Sequence, residues 1–222
     1  TTEVAIANDG DRSRRFKLKT DLLDPEGNLL SSQVTSRLLK PGERMEVRES
    51  QIVESPRLWS PESPDLYRVE SYIVSNKKVM DNTATDFGIR TAAFTPDSGF
   101  VLNGKKVWLK GVCLHHDGGG FGSAVPEAFW ERRLKKLKSL GVNAVRLAHN
   151  PHAPEVLAMC DRLGLMVINE MYDKWELPWN AQNGGSNFTE TWKEDLTYFI
   201  RRAINHPPDN LYGAFARCER LV

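Results

Sequence analysis

Polar side chains that could do chemistry follow two short apolar segments, residues 142–147 and 165–168. The set contains an arginine, a histidine, an amide and carboxylates: Arg146, His149, Asn150, Glu170 and Asp173. Hydrogen-bond donors and charged groups of this kind can bind a polar ligand and stabilise charge that develops during a reaction. Their spacing therefore predicts a functional site, provided that the chain folds so that the two segments lie side by side.

The residues between the two segments have the features of a helix. Pro154 suits the first turn, Leu157 and Cys160 form an apolar stripe, and Gly164 stops the helix. A strand, helix and strand of this length form a right-handed parallel crossover. Both strand ends then open on the same edge of a sheet, so we expect the polar side chains to converge there as an active-site rim.

The same residues carry a resemblance to a known family. Residues 143–151 (NAVRLAHNP), followed by Asp161-x-x-Gly164 and a four-residue apolar strand, resemble the first signature of glycoside hydrolase family 2. That family includes β-galactosidases, β-glucuronidases and β-mannosidases. Residues 58–67 (LWSPESPDLY) resemble the end of its sandwich domain, and residues 87–105 resemble the start of its barrel. The resemblance covers nearly the whole chain and weakens after His206.

The fold expected for residues 1–95 is an immunoglobulin-like β-sandwich. Segments 16–22, 45–53 and 66–74 alternate apolar and polar residues and are separated by turns, without helical periods between them. The opening residues read as a strand already under way. Since a sugar-binding jelly roll precedes the sandwich in the family, we expect a domain before this one. The predicted role of the sandwich is scaffolding.

Residues 96–222 are predicted to form the first part of a (β/α)8 TIM barrel. Residues 100–108 are expected to form a hairpin, and residues 106–112 the first barrel strand. Two helices then follow from their apolar faces: Trp130, Leu134 and Leu137 in the first, and Trp192, Leu196, Phe199 and Ile200 in a helix over 189–204. The basic residues of the first helix are read as a solvated outer face rather than a nucleic-acid site. A complete barrel needs roughly 250 residues, so the barrel is predicted to be unfinished.

The catalytic carboxylates of the family are expected to be missing from this chain. Retaining hydrolysis uses two carboxyl groups about 5–5.5 Å apart, and the resemblance implies that they follow the fourth and seventh strands. The family's Asn-Glu dipeptide does not appear after Asn205-His206-Pro207. Two explanations of this departure stay open: the reading frame is lost after Pro207, or the end of the sequence is genuinely divergent. Glu170 is a weaker alternative acid/base, because it follows the third strand, where relatives carry Asp-Glu.

The resemblance implies a set of substrate-binding residues: His115, Arg146, His149, Asn150, Glu170, Asp173 and Trp175. The two histidines would bind sugar hydroxyls, or alternatively hold a loop. Arg146 would support the site and Asn150 would shape the turn before Pro151. Trp175 would stack on a sugar ring or pack within its loop. The role of His116 is less defined, since many relatives carry Glu there.

Composition excludes several classes of function. The net charge of +1 gives no argument for nucleic-acid or membrane binding, and no apolar run approaches the roughly 20 residues that span a bilayer. The three widely spaced cysteines predict neither disulfides nor a metal site. Ligation by His115, His116, Asp117 and His149 is disfavoured because adjacent side chains on a strand point in opposite directions. No metal or cofactor is predicted, and the compartment, periplasmic, secreted or cytoplasmic, stays undecided.

Two functions are therefore expected. The first is hydrolysis of terminal β-linked sugars by a retaining mechanism, with a likeness to β-galactosidases in residues 111–117 (GVCLHHD); this chain alone is predicted to be inactive. The alternative is a non-catalytic remnant that binds sugar or is purely structural. An open half-barrel would expose sheet edges and apolar helix faces, which predicts self-association.

Overall fold

A computed structural model describes residues 1–173 and 188–207, and the backbone of residues 209–212. The chain divides into two compact units. The first comprises Thr1–Arg57 and Asp65–Ile89, and the second comprises Leu58–Pro64 and Arg90–Val222. In the part of the chain that is described, no helix is long and apolar enough to cross a membrane.

The first unit is built from two antiparallel sheets. Its strands are β1 (Thr2–Ala7), β2 (Arg14–Leu23), β3 (Leu29–Leu39), β4 (Arg44–Glu49), β5 (Tyr67–Ser75) and β6 (Lys78–Phe87). Strand β1 pairs with β4, and the other four pair in the order β3-β2-β5-β6. Phe16, Leu18, Leu39 and Val47 are buried together between the sheets. The predicted alternation of residues 16–22 is confirmed for Phe16, Leu18, Thr20 and Leu22, which are buried, although Asp21 on the other face is buried too.

The second unit begins with a small sheet of three antiparallel strands. These are β7 (Ala92–Thr95), β8 (Gly99–Leu102) and β9 (Lys105–Lys106). Asn103 and Gly104 form the predicted tight turn, both with positive φ, 52° and 75°. The prediction that Lys106 begins the first barrel strand is wrong, because Lys106 pairs with Val101 as the return strand of this hairpin.

A four-stranded parallel sheet with helical crossovers forms the rest of the second unit. Its strands lie in the order β10 (Gly111–His115), β11 (Ala144–Ala148), β12 (Met166–Asn169) and β13 (Asp209–Tyr212), and the connecting helices are α1 (Glu127–Ser139), α2 (Pro154–Leu163) and α3 (Phe188–Ala203). Strands β11 and β12 lie where they were predicted, and β10 overlaps the predicted first strand at residues 111–112. Strand β13 was not predicted because its residues, Asp-Asn-Leu-Tyr, lack an apolar run.

The helices bury their apolar faces against this sheet. Helix α1 buries Trp130 and Leu134, as predicted. Helix α2 has Pro154 in its first turn and ends at Gly164, whose left-handed conformation (φ 65°) matches the predicted stop. In α3, the buried residues are Phe199 and Ala203, which are one turn apart. The predicted apolar stripe of α3 is therefore partly wrong, since Trp192 and Ile200 of that stripe are exposed.

Candidate functional site

The carboxyl ends of β11 and β12 bring three of the predicted site residues into contact. Glu170 follows β12 directly, and only 1% of its surface is exposed. Arg146, on β11, donates its Nε–H to Glu170 Oε1. His149, just past the end of β11, places Nδ1 3.0 Å from Glu170 Oε2. The parallel register explains the contact, because Arg146 lies beside Ile168 and Leu147 beside Asn169. Both oxygens of a buried carboxylate are therefore engaged.

The positive charge of Arg146 lies against the buried carboxylate of Glu170. Arg146 Nη1 also lies 3.6 Å from the Sγ atom of Cys113 on β10. This contact and the hydrogen bond to Glu170 raise the pKa of Arg146 above its ordinary value, against the opposing effect of burial. Arg146 therefore stays protonated, and its charge offsets that of the buried carboxylate. The result is a fixed polar group at the end of the sheet.

The two neighbouring histidines of the LHHD segment lie on opposite sides of the backbone. The ring of His115 meets the ring of His149 edge-on, with 5.1 Å between their centroids. His116 turns away and stacks on Trp130 of α1, with 5.5 Å between the centroids. His115 is exposed and His116 is partly buried. Of the two histidines, only His115 is therefore linked to Glu170, because it contacts His149, which in turn contacts Glu170.

The remaining predicted site residues lie at the surface or outside the described residues. Asn150 and Asp173 are both exposed. Trp175 lies outside the described residues, so its predicted stacking on a sugar stays a prediction. Among the residues that the structure describes, no three His, Cys, Asp or Glu side chains group as a metal site would require.

Sequence reasoning missed two residues near this site. Cys113 lies beside Arg146, and its position two residues before His115 on one strand places the two side chains on the same face. His152 is 99% buried and hydrogen-bonds the backbone of Ala148, at the end of β11. His152 lies three residues after His149, and that spacing could have marked it as a site residue. The prolines on either side, Pro151 and Pro154, instead indicated a turn.

Comparison with known proteins identifies the family. Residues 1–90 match the family model for glycosyl hydrolases family 2, and residues 95–207 match the model for the TIM barrel domain of the same family. This chain belongs to glycoside hydrolase family 2. The match confirms the predicted fold class, an immunoglobulin-like β-sandwich followed by a partial (β/α)8 TIM barrel.

Individual members of family 2 resemble the chain over most of its length. It is 36% identical, over 92% of its residues, to the β-galactosidase BoGH2A of Bacteroides ovatus, and it spans 24% of that protein. A crystal structure of a family 2 member from Bacteroides cellulosilyticus superimposes with a TM-score of 0.86 at 36% identity, covering 93% of this chain and 27% of the other. A β-glucuronidase from Bacteroides uniformis gives 0.85 at 30% identity, covering 93% and 24%. The chain thus spans about a quarter of the length of these relatives.

Proposed function

We propose that this chain is part of a retaining β-glycosidase that removes terminal β-linked sugars, with a β-galactosidase-like specificity. In this proposal residues 1–95 are the scaffold and residues 96–222 supply part of the sugar-binding rim. The observation that carries the proposal is the Arg146–Glu170–His149 group at the carboxyl ends of parallel strands, in a chain of family 2. Its relatives include proteins named β-galactosidase and β-glucuronidase.

The roles that we propose follow from exposure and hydrogen bonding. His115 is exposed, and 37% of the His149 side chain is exposed, so both can donate to or accept from sugar hydroxyls. Glu170 hydrogen-bonds His149 and is itself held by Arg146, so His149 has a fixed position. Asn150, Asp173 and Trp175 complete the predicted set around these two histidines.

Glu170 is poorly suited to be the acid/base. A general acid must carry a proton and reach the glycosidic oxygen. Both oxygens of Glu170 already accept hydrogen bonds, one of them from a permanently charged Arg146, and its side chain is 1% exposed. We propose that Glu170 orients the site, that the two reacting carboxylates lie elsewhere in the whole enzyme, and that this chain alone does not hydrolyse glycosides.

The alternative is a sugar-binding or structural piece that takes no part in catalysis. The observation that favours it is the missing Asn-Glu dipeptide after Pro207. The sugar-binding form of the alternative shares the rim with the first candidate, and the purely structural form does not. Both forms differ from the first candidate in lacking the two reacting carboxylates.

Ligand titration by NMR tests the sugar-binding rim. Galactose, glucuronate and mannose are added in turn to the ¹⁵N-labelled chain, with myo-inositol as a hydroxyl-rich control that lacks a ring oxygen. We expect saturable shifts of His115 and His149 with galactose, at millimolar affinity, and their loss in His149→Ala. If no sugar gives saturable shifts at these residues, or if myo-inositol gives the same ones, the proposed sugar-binding role is wrong.

A further inference from the structure

His152 occupies a buried position directly behind the candidate site. Its side chain is enclosed by the rings of His116, with 4.9 Å between centroids, and of Trp130, with 5.6 Å. Arg202 of α3 donates to the backbone carbonyl of His152. Residues from the end of β10, from α1 and from α3 therefore converge on this one residue. Such enclosure leaves the imidazole little freedom to rotate.

The ring of His152 makes a directed contact to the strand that carries the site. Its Nε2 atom lies 3.3 Å from the carbonyl oxygen of Ala148. A carbonyl can only accept a hydrogen bond, so Nε2 carries the proton. Nδ1 is buried and has no hydrogen-bond partner among the described residues. Burial lowers the pKa of His152 to about 4, which keeps the ring neutral near pH 7 and preserves this arrangement.

The carbonyl of Ala148 belongs to the peptide unit that leads into His149. The direction of that peptide unit sets where the His149 side chain starts, and His149 places Nδ1 against Glu170 Oε2. Since an ionised carboxylate only accepts, Nδ1 of His149 carries the proton in this pair. Its other ring nitrogen, Nε2, is not used by Glu170 and can bind a ligand. A change in the peptide direction would move both nitrogens.

We propose that His152 is a positioning residue for His149, which it orients by donating its Nε2–H to the carbonyl of Ala148. The value of this position for a sugar rests on the proposed function, but the orienting contact itself does not. No reacting or ligand-binding group is assigned to His152, which acts only through the backbone of Ala148.

The test compares two variants of the 222-residue chain by NMR of the histidine ring nitrogens, without added sugar. His152→Phe keeps a planar ring for packing but removes the donor. His152→Gln places an amide N–H at a similar distance from the backbone and can restore the hydrogen bond. We expect the protected Nδ1–H signal of His149 to be present in the wild type, lost in the Phe variant and recovered in the Gln variant.

If His152 only filled space in the core and did not orient His149, the variants would give a different result. A folded Phe variant that retains the Nδ1–H signal of His149 would overturn the proposal, and so would a folded Gln variant that loses it. If the Phe variant does not fold, His152→Asn takes its place, because its amide is too short to reach the Ala148 carbonyl. Because the readout needs no sugar, failure of the sugar titration described above leaves this test unaffected.

Discussion

Glu170 is the residue on which the candidate site depends. A buried carboxylate is stable only when its charge is matched and its oxygens are hydrogen-bonded. Arg146 supplies the charge and His149 occupies the second oxygen. Without Arg146 the buried carboxylate would keep only His149 as a partner. Removing Arg146 should therefore destabilise the folded chain as well as weaken ligand binding.

Arg146→Ala is therefore expected to lower the free energy of unfolding by about 3 kcal/mol. The control is Arg68→Ala, which removes a two-point Arg–carboxylate pair with Asp86 that is exposed on both sides. That variant should cost less than about 1 kcal/mol. Urea denaturation followed by circular dichroism measures both. Equal losses for the two variants would contradict the description of Glu170 as a carboxylate that depends on Arg146.

His152 predicts a pH dependence of stability. Burial, with smaller contributions from His116 and Arg202, lowers the pKa of His152 in the folded chain to about 4, from 6.5. Between these values the unfolded chain binds a proton that the folded chain does not. Stability is thus lost as the pH falls from 6.5 towards about 4.

The urea midpoint should therefore fall on acidification from about pH 7 to about pH 5, and it should fall less in His152→Gln, which cannot take up that proton. Measuring both proteins at the same two pH values cancels the contribution of the carboxylates. An equal fall in both would show that His152 does not bear the predicted shift.

At the scale of elements, the end of α2 fixes where β12 begins and thus where Glu170 lies. Gly164 has φ 65°, and a Cβ atom built on it would lie 2.5 Å from the carbonyl oxygen of Pro61. The side chain of Lys138 donates to the carbonyls of both Pro61 and Gly164. The α2–β12 turn is consequently packed against the segment 58–64 with no room for a side chain.

Gly164→Ala is expected to lower stability by more than about 2 kcal/mol, from the strained backbone conformation together with the clash. Gly141→Ala is the matched control in the same unit, since Gly141 also has a positive φ (85°) but would meet no atom within 4 Å. Its cost should be about 1 kcal/mol. Thermal unfolding of the two variants separates backbone conformation from close packing. A Gly141 variant as unstable as the Gly164 variant would rule out the clash as the cause.

The same elements show what sequence could predict. The crossover from β11 through α2 to β12 followed from Pro154, the apolar stripe and Gly164, because local propensity and tertiary structure agree there. The edge on which Arg146, His149 and Glu170 meet followed from the parallel direction of the strands. The contacts themselves did not follow, since spacing does not say which side chain faces which.

Two other features were not predicted from the sequence, for different reasons. His152 is positioned by rings from other elements, and nothing in its neighbours along the chain marks it as buried. The first barrel strand was predicted at residues 106–112 but is β10 (Gly111–His115), because two lysines after the Asn-Gly turn continue the hairpin rather than start a new strand. Only the burial of His152 depends on interactions between residues far apart in the chain.

At the scale of the whole molecule, the second unit exposes apolar side chains within the described residues. Tyr198 is 76% exposed and Ile204 67%, on and just after α3, and Trp108 before β10 is 72% exposed. Tyr198 and Ile204 belong to one helix and its end, and contiguous apolar area of that kind is typical of surfaces that associate. We therefore predict that copies of this chain self-associate.

Sedimentation velocity at several concentrations measures the association. We expect the weight-average sedimentation coefficient to rise with concentration, and to rise less in the double variant Tyr198→Lys, Ile204→Lys. Val79→Lys in the first unit is the control, since Val79 is 59% exposed but lies on β6. A wild-type chain that stays monomeric throughout the concentration range would contradict the prediction.

Hydrolysis of a panel of nitrophenyl β-glycosides by the purified chain tests whether Glu170 orients the site or acts as the catalytic acid. Because Glu170 is buried and engaged at both oxygens, we predict no turnover above that of a chain unfolded by heat, for the galactoside, glucuronide, mannoside and glucoside alike. Turnover that is present in the wild-type chain and absent in a folded Glu170→Gln variant would contradict the account, and would make Glu170 the catalytic acid.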